Sequence, residues 1–258
     1  MREPSVGIIG GGRVARIILA GWTRAGRSLS GVVVTDVDAA ILERLQDDFP
    51  SIGVFQDNRQ AAGQDLVLVA LHPPAFPTAL GAIRESLRQT ATLVSLAPRW
   101  SMSRICQVLG GFNRLARVIP NAPSIVNKGY NPLSFSEAVT AEDREAVHAL
   151  FDPLGACPEV GEETLEAYAI VAAMGPTYLW YQLYQLIDMG CAFGLTRDAA
   201  TEAVTAMVNG ATATMLRAGL PAERVMDLIP VKPLAAMEPT VKQAYSDALG
   251  NLYKKLRD

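Results

Sequence analysis

Ser5-Val6-Gly7-Ile8-Ile9-Gly10-Gly11-Gly12-Arg13-Val14-Ala15-Arg16-Ile17-Ile18-Leu19 is the stretch that decides the fold. Val6 to Ile9 are of buried-strand type and run into three glycines. Apolar residues then recur at Val14, Ile17 and Ile18, at helical spacing. The order is strand, tight turn, helix N-terminus. Within it lies Gly10-x-Gly12-x-x-Ala15, the dinucleotide fingerprint with alanine in the third place. Gly10 permits the turn, Gly12 has no Cβ to hold a pyrophosphate away, and Ala15 lets the helix approach the strand. The unpaired N–H groups and the dipole of the helix N-terminus attract the anion. Arg13 adds a cation in the first turn, which opposes the dipole unless an anion is bound there.

A second strand, Gly31 to Thr35, ends at Asp36. This is about twenty residues past the fingerprint, where a carboxylate grips the adenosine ribose. No arginine stands immediately beside Asp36; the next is Arg44. A carboxylate repels a 2′-phosphate, so of NAD and NADP the first is favoured as cofactor.

Outward from this stretch, strand patterns at 51–55, 65–71, 91–96 and 115–119 alternate with helical patterns at 39–48, 75–88, 102–109 and 140–151. Asp38 is suited to cap the helix that follows it. Alternation of this kind implies a doubly wound parallel sheet covered on both faces. Past Glu159 the character changes: helical patterns follow at 163–174, 176–193, 198–217, 220–228 and 236–255, with no strand pattern from Glu162 onward. The expected architecture is α/β, a Rossmann-type domain over 1–160 followed by an all-α domain over 161–258. The long helix from Pro176 carries Tyr178, Leu179, Trp180, Tyr181, Leu183, Tyr184, Leu186, Ile187 and Met189, apolar nearly all round. Such a helix needs burial on most sides. It is either the centre of its own domain or a subunit interface. The interface, in a homodimer, is the favoured expectation, because aromatics are enriched there and two-fold dimers are common.

Composition narrows the class. Half the residues are hydrophobic and net charge is −3, which favours a globular chain over a general nucleic-acid or anionic-membrane binder. No apolar run reaches membrane-spanning length, and the first apolar run, broken by glycines, does not read as a signal peptide. The three cysteines, Cys106, Cys157 and Cys191, form no Cys-x-x-Cys pair, and the two histidines are His72 and His148. No metal site or disulfide framework is expected, and a cytoplasmic, reducing location fits.

The order of several segments resembles the pyrroline-5-carboxylate reductase family over essentially the whole chain. Val6-Gly7-Ile8-Ile9-Gly10-Gly11-Gly12-Arg13-Val14-Ala15 is similar to that family's opening. Arg117-Val118-Ile119-Pro120-Asn121-Ala122-Pro123 looks like its Arg-Val-Met-Pro-Asn-Thr-Pro segment, and Gly175-Pro176-Thr177-Tyr178 like its Gly-Pro-Ala-Tyr. The resemblance implies a Rossmann domain, a helical dimerisation domain, and hydride transfer between a nicotinamide and a C=N bond, the chemistry of proline biosynthesis. The departures lie in the substrate half. The family's Ser-Pro-Gly-Gly-Thr-Thr is replaced by Ile229-Pro230-Val231-Lys232-Pro233-Leu234-Ala235-Ala236-Met237-Glu238, its Ser-Gly-Ser by Ala172-Ala173-Met174, and the Lys of its Val-Lys-Pro-Gln by His72. A related imine, or another small molecule, is therefore expected as substrate in place of pyrroline-5-carboxylate.

For the cofactor, Gly10, Gly12, Arg13 and Val14 are assigned to the pyrophosphate and Asp36 to the ribose. Ala70, His72, Pro73, Ala97 and Asn121 end or follow strands at the carboxyl edge, where ligands lie. Asn121 fits a carboxamide or substrate contact, or turn chemistry between two prolines. Candidate proton donors or substrate anchors are His72, Tyr178 and Lys232. Their competing readings are a packed strand-end histidine, an interface or core tyrosine, and a solvated lysine. His148 lies in an ordinary amphipathic helix and receives no role. Three functions remain: an NAD(P)H-dependent reductase of a small imine, a catalytically silent NAD(P)-binding dimer with a sensing or scaffolding role, and a deazaflavin-dependent oxidoreductase. The Asp36 carboxylate disfavours the last.

Overall fold

The computed structural model describes residues 4–257, so the expected domain ends at 1 and 258 lie outside the described residues. The fingerprint folds as read. Strand β1 (Val6–Ile9) is fully buried and leads through the glycines into α1 (Arg13–Arg24). Then come β2 (Val33–Thr35), α2 (Ala39–Asp48), β3 (Gly53–Phe55), α3 (Asn58–Ala62), β4 (Leu66–Val69), α4 (Phe76–Ile83), β5 (Thr92–Ser95), α5 (Met102–Val108) and β6 (Leu115–Val118). Two short strands, β7 (Gly129–Tyr130) and β8 (Leu133–Phe135), α6 (Ala141–Phe151) and β9 (Gly155–Ala156) complete this part. The main sheet has seven strands in the order β3-β2-β1-β4-β5-β6-β8. All pairs are parallel except the last, β6 with β8. This is the doubly wound order, in which the chain reverses direction across the sheet between β1 and β4.

Both faces of the sheet are covered, which is why β1, β4, β5 and β6 are buried at every position. On one face Ile18, Leu19 and Trp22 of α1 pack with Val147, Leu150 and Phe151 of α6. There the Trp22 indole donates to the Leu150 carbonyl at 2.6 Å, so its one polar atom is satisfied. On the other face, Phe76 and Trp100 meet with ring centroids 5.1 Å apart among Leu80, Ile83 and Ile105. Asp38 caps α2 as expected, accepting from the Ala40 amide at 2.9 Å.

The helical pattern over 75–88 resolves into a short 3-10 turn, Pro73–Ala75, and a shorter α4. The pattern at 163–174 is not one helix. It is a 3-10 turn (Glu162–Thr164), one α turn, α7 (Leu165–Tyr168), and a π-helical segment, Ala169–Ala173. This segment belongs to the sheet domain. The compact units are 4–174 with 253–257, and 175–252. The break thus falls at Met174–Gly175, where 160/161 was expected. The physical reason is Arg117, which is 2% exposed in the middle of β6. Its guanidinium reaches Glu162 at 3.0 Å and Glu166 at 2.5 Å. A buried charge must be paired, so the first turns after residue 161 are tied to the sheet.

The second unit holds α8 (Pro176–Ala192), α9 (Arg197–Arg217), α10 (Ala222–Met226) and most of α11 (Glu238–Arg257). In α8 only Ile187 is buried. Trp180, Tyr181 and Tyr184 are 46%, 67% and 62% exposed. Within a single chain, α8 is therefore not the buried centre of its own domain. Among the described residues, no helix is long and apolar enough to cross a membrane.

Gly7 gives a direct test of the packing. A Cβ there would lie 2.1 Å from the Ala61 carbonyl oxygen, so α3 rests on the bare backbone of β1. Gly7→Ala is expected to lower unfolding free energy by about 3 kcal/mol or more, read from urea denaturation. A loss within experimental scatter would show that α3 does not seat on β1.

Candidate active site

A cavity of about 640 Å³ opens at the carboxyl ends of β1, β2, β4 and β5. Its size suits a small-molecule or cofactor site. Each wall follows from the chain. Beyond Ile9, Gly10 turns with φ +100°, a left-handed conformation open to glycine. A Cβ there would meet the Ala70 carbonyl oxygen at 2.7 Å. Gly12 is the N-cap of α1, and a Cβ placed on it meets nothing within 4 Å. The space above the helix N-terminus is therefore open, while the first-turn amides have no partner within the helix. The first turn of α1 carries no acidic residue, and Arg13 lines the cavity beside it.

Asp36 is held rather than loose. Its carboxylate accepts from the Gly11 amide at 2.8 Å and from the Asp38 amide at 3.0 Å. Each oxygen keeps a lone pair for a further donor such as a ribose hydroxyl. From β4, Ala70, Leu71, His72 and Pro73 reach the cavity; from β5, Leu96, Ala97 and Pro98 do. His72 precedes the 3-10 turn, is exposed, and makes no capping hydrogen bond with its side chain. Arg13 and Asp36 supply the formal charges of the lining, and His72 its titratable ring; the strand-end half is otherwise apolar. An open cradle over a helix N-terminus, with a fixed carboxylate one strand away, fits a dinucleotide.

Residues 5–99 match the family model described as NADP oxidoreductase, coenzyme F420-dependent. Residues 162–230 match the model of pyrroline-5-carboxylate reductase dimerisation. The pyrroline-5-carboxylate reductase of Mycobacterium leprae is 29% identical over 218 residues, covering 82% of this chain and 73% of that one. The enzyme of that name from Arabidopsis thaliana is 28% identical over 217 residues, covering 83% and 78%. Among solved structures, a pyrroline-5-carboxylate reductase from Coxiella burnetii is 25% identical with a TM-score of 0.72, covering 99% of this chain and 95% of that one. The Plasmodium falciparum pyrroline carboxylate reductase with NADP bound gives a TM-score of 0.86 at 20% identity, covering 100% and 98%, and at that identity supports the fold. Over most of its length the chain is thus similar to pyrroline-5-carboxylate reductases, at the distance of a divergent relative.

The structure brings nine expected residues, Gly10, Gly12, Arg13, Val14, Asp36, Ala70, His72, Pro73 and Ala97, to one cavity. Asn121 is not among its lining residues. It is 8% exposed, accepts from the Tyr130 amide at 3.0 Å and donates to the Ala172 carbonyl at 3.4 Å. Its amide thus joins the turn after β6 to β7 and to the π-helical segment. Tyr178 and Lys232 belong to the second unit. Tyr178 meets Tyr245 edge-on with centroids 5.8 Å apart, and burial pushes its phenol above the usual range. Lys232 has Asp227 at 4.0 Å. Leu71, Leu96 and Pro98 were missed as lining residues, although each adjoins an expected one at a strand end. Ile41 also lines the cavity from α2, and nothing in its sequence context pointed there.

His148, Asp152 and Cys157 also come together, with one donor atom from each within 4.8 Å of the others. Burial, with help from the Asp152 charge, pushes the Cys157 thiol up to about 12. The thiol instead donates to the Asn131 carbonyl at 3.1 Å. A cysteine so reluctant to ionise makes this group a poor metal centre.

Gly12→Ala tests the cradle. It is expected to cost less than about 1 kcal/mol of stability. Affinity for a dinucleotide should fall at least tenfold, about 1.4 kcal/mol, if the new Cβ enters the space to which the fingerprint assigns the pyrophosphate. Unchanged affinity in a fluorescence titration would remove the pyrophosphate from Gly12.

Proposed function

We propose that the protein is an NAD(P)H-dependent reductase of a small, cyclic imine. The observation that carries this reading is the single cavity that joins the fingerprint turn, the Asp36 carboxylate and the apolar strand ends of β4 and β5. Similarity to relatives named pyrroline-5-carboxylate reductases supports the C=N chemistry. A bound reduced nicotinamide supplies the hydride, and a protonated imine is already electrophilic. What the chain must add is orientation and exclusion of water. Gly10, Gly12, Arg13 and Val14 hold the pyrophosphate, Asp36 holds the ribose, and Ala70, Pro73 and Ala97 set the apolar floor. His72 is the proposed proton donor: it is exposed at the end of β4 and shares the cavity with the fingerprint, and an imidazole nitrogen can donate a proton. Tyr178 and Lys232 are secondary candidates, one set edge-on to Tyr245 and the other beside Asp227. Asp36 favours NAD, since a 2′-phosphate would face a carboxylate. We further infer a homodimer that buries the exposed face of α8, and a reducing cytoplasm, in keeping with three free cysteines.

The decisive experiment follows NADH and NADPH oxidation with a panel of cyclic imines that includes pyrroline-5-carboxylate. Turnover on some imine, faster with NADH, is expected. Asp36→Ala should shift the NADH/NADPH ratio of kcat/KM at least tenfold toward NADPH, about 1.4 kcal/mol. An unchanged ratio would sink the assignment of Asp36. Cofactor binding without any turnover would return the protein to a silent NAD(P)-binding dimer.

Light scattering after size exclusion tests assembly. A mass of twice the 27.6 kDa chain, or a multiple of that, is expected. Trp180→Glu should weaken the association. A monomer at all concentrations would contradict the dimer.

A further inference from the structure

A second cavity, of about 420 Å³, lies within the sheet domain and is lined largely by charged side chains. At its base is buried Arg117, engaged by Glu162 and Glu166. Those two carboxylates are further satisfied by backbone: Glu162 accepts from the Met102 amide at 2.7 Å, and Glu166 from the Arg99 amide at 3.2 Å. They are thus matched to donors within the fold. Three other guanidinium groups line the same cavity, those of Arg99, Arg104 and Arg257. Among the described residues, none of the three is within ion-pair distance of a carboxylate. Facing them is one further carboxylate, Glu163. Arg104 sits over the Trp100 ring, its guanidinium carbon 4.0 Å from the centroid, a cation–π contact that holds the charge at the cavity. Arg99 is held at φ +75°, a left-handed backbone that an arginine adopts only at a cost in energy.

We propose that this cavity binds a small oxyanion, a carboxylate or phosphate group, clasped by Arg99, Arg104 and Arg257. Guanidinium forks match the paired oxygens of either group, and three that lack carboxylate partners leave an excess of positive charge in the cavity. The site is separate from the dinucleotide cavity but shares its wall. Leu96, Ala97 and Pro98 line the cofactor side, and Arg99, the next residue, lines this one. An anion here would hold the loop that forms one wall of the cofactor cavity.

The test is calorimetry on the full chain saturated with NADH, so that the α1 terminus, the other anion site, is filled. Inorganic phosphate and succinate are titrated separately, which distinguishes the two oxyanion classes. At least one should bind with Kd of about 1 mM or tighter. Arg104→Gln and Arg99→Gly should each weaken that binding at least tenfold. Arg99→Gly removes the guanidinium at a position whose backbone suits glycine, so thermal unfolding should show the fold retained. Binding of neither probe, or equal binding in wild type and both variants, overturns the proposal.

Discussion

The cofactor edge depends on bare backbone at two points, one in β1 and one in the turn that follows it. At Gly7 the Ala61 carbonyl of α3 sits where a side chain would be, and at Gly10 the Ala70 carbonyl does. These contacts set the distance between β1 and what lies around it. Gly10 donates to the Thr35 carbonyl at 2.7 Å, and the Ala70 amide donates to the Ile9 carbonyl at 2.8 Å. The turn is thereby bonded to both flanking strands at the point where strand order reverses. The crevice at a topological switch point exists because neighbouring connections leave in opposite directions. Here its floor is fixed by hydrogen bonds on either side of one left-handed glycine. Asp36 is drawn into the same frame, because the Gly11 amide that follows the turn is its donor. The Asp36 carboxylate and the open cradle above α1 are thus set by one short piece of backbone.

The second constraint is electrostatic. Arg117 interrupts an apolar strand and is almost fully buried. Leaving such a charge unpaired costs several kcal/mol, so its partners are fixed as firmly as a core contact. Glu162 and Glu166 are those partners, and through them the segment up to Met174 is bound to the sheet domain. The π-helical turn that follows carries one extra residue per turn, a feature frequent at functional sites. Asn121 fastens it from the end of β6, through its bond to the Ala172 carbonyl.

The legible parts of the sequence were those governed by local chemistry. The fingerprint, the Asp38 cap, the buried parallel strands and the ends of α1, α2 and α8 all follow from residue types within a few positions. The parts that were not legible depend on distant partners. Helix α3 is five residues long and mostly polar, with no periodicity to reveal it; its reason for being there is the missing side chain at Gly7. Strand β8 is three residues long and exists by antiparallel pairing with β6. The compact sheet unit runs on past residue 160, to Met174, because Glu162 and Glu166 pair with Arg117 far away in the sequence. The one signal of this in the sequence was Arg117 itself, a charge amid Leu115, Ala116 and Val118 that had to find an acid somewhere. Nine of the cavity residues were legible because strand ends in a doubly wound sheet face one edge. Asn121 ends a strand too, yet its amide bonds within the fold.

The division of polarity along the cofactor cavity bears on how little catalytic machinery the chain needs. Both of its formal charges, Arg13 and Asp36, lie where phosphate and ribose would be held. The far half is built from Leu71, Pro73, Leu96, Ala97 and Pro98 around His72. Hydride transfer to a protonated imine moves charge from one ring to another and creates no oxyanion, so fixed donors of the kind an acyl transfer requires have little to stabilise. An apolar wall serves such a step better, because it keeps water from the reacting carbons and lets a single exchangeable proton decide the protonation state. The residues that line this cavity all belong to the first unit, from the fingerprint turn to the end of β5. The segment Ile229 to Glu238, which departs furthest from the family pattern, lies wholly in that second unit. Divergence there leaves untouched the backbone frame of Gly7, Gly10 and Asp36, whose contacts all lie within the first unit.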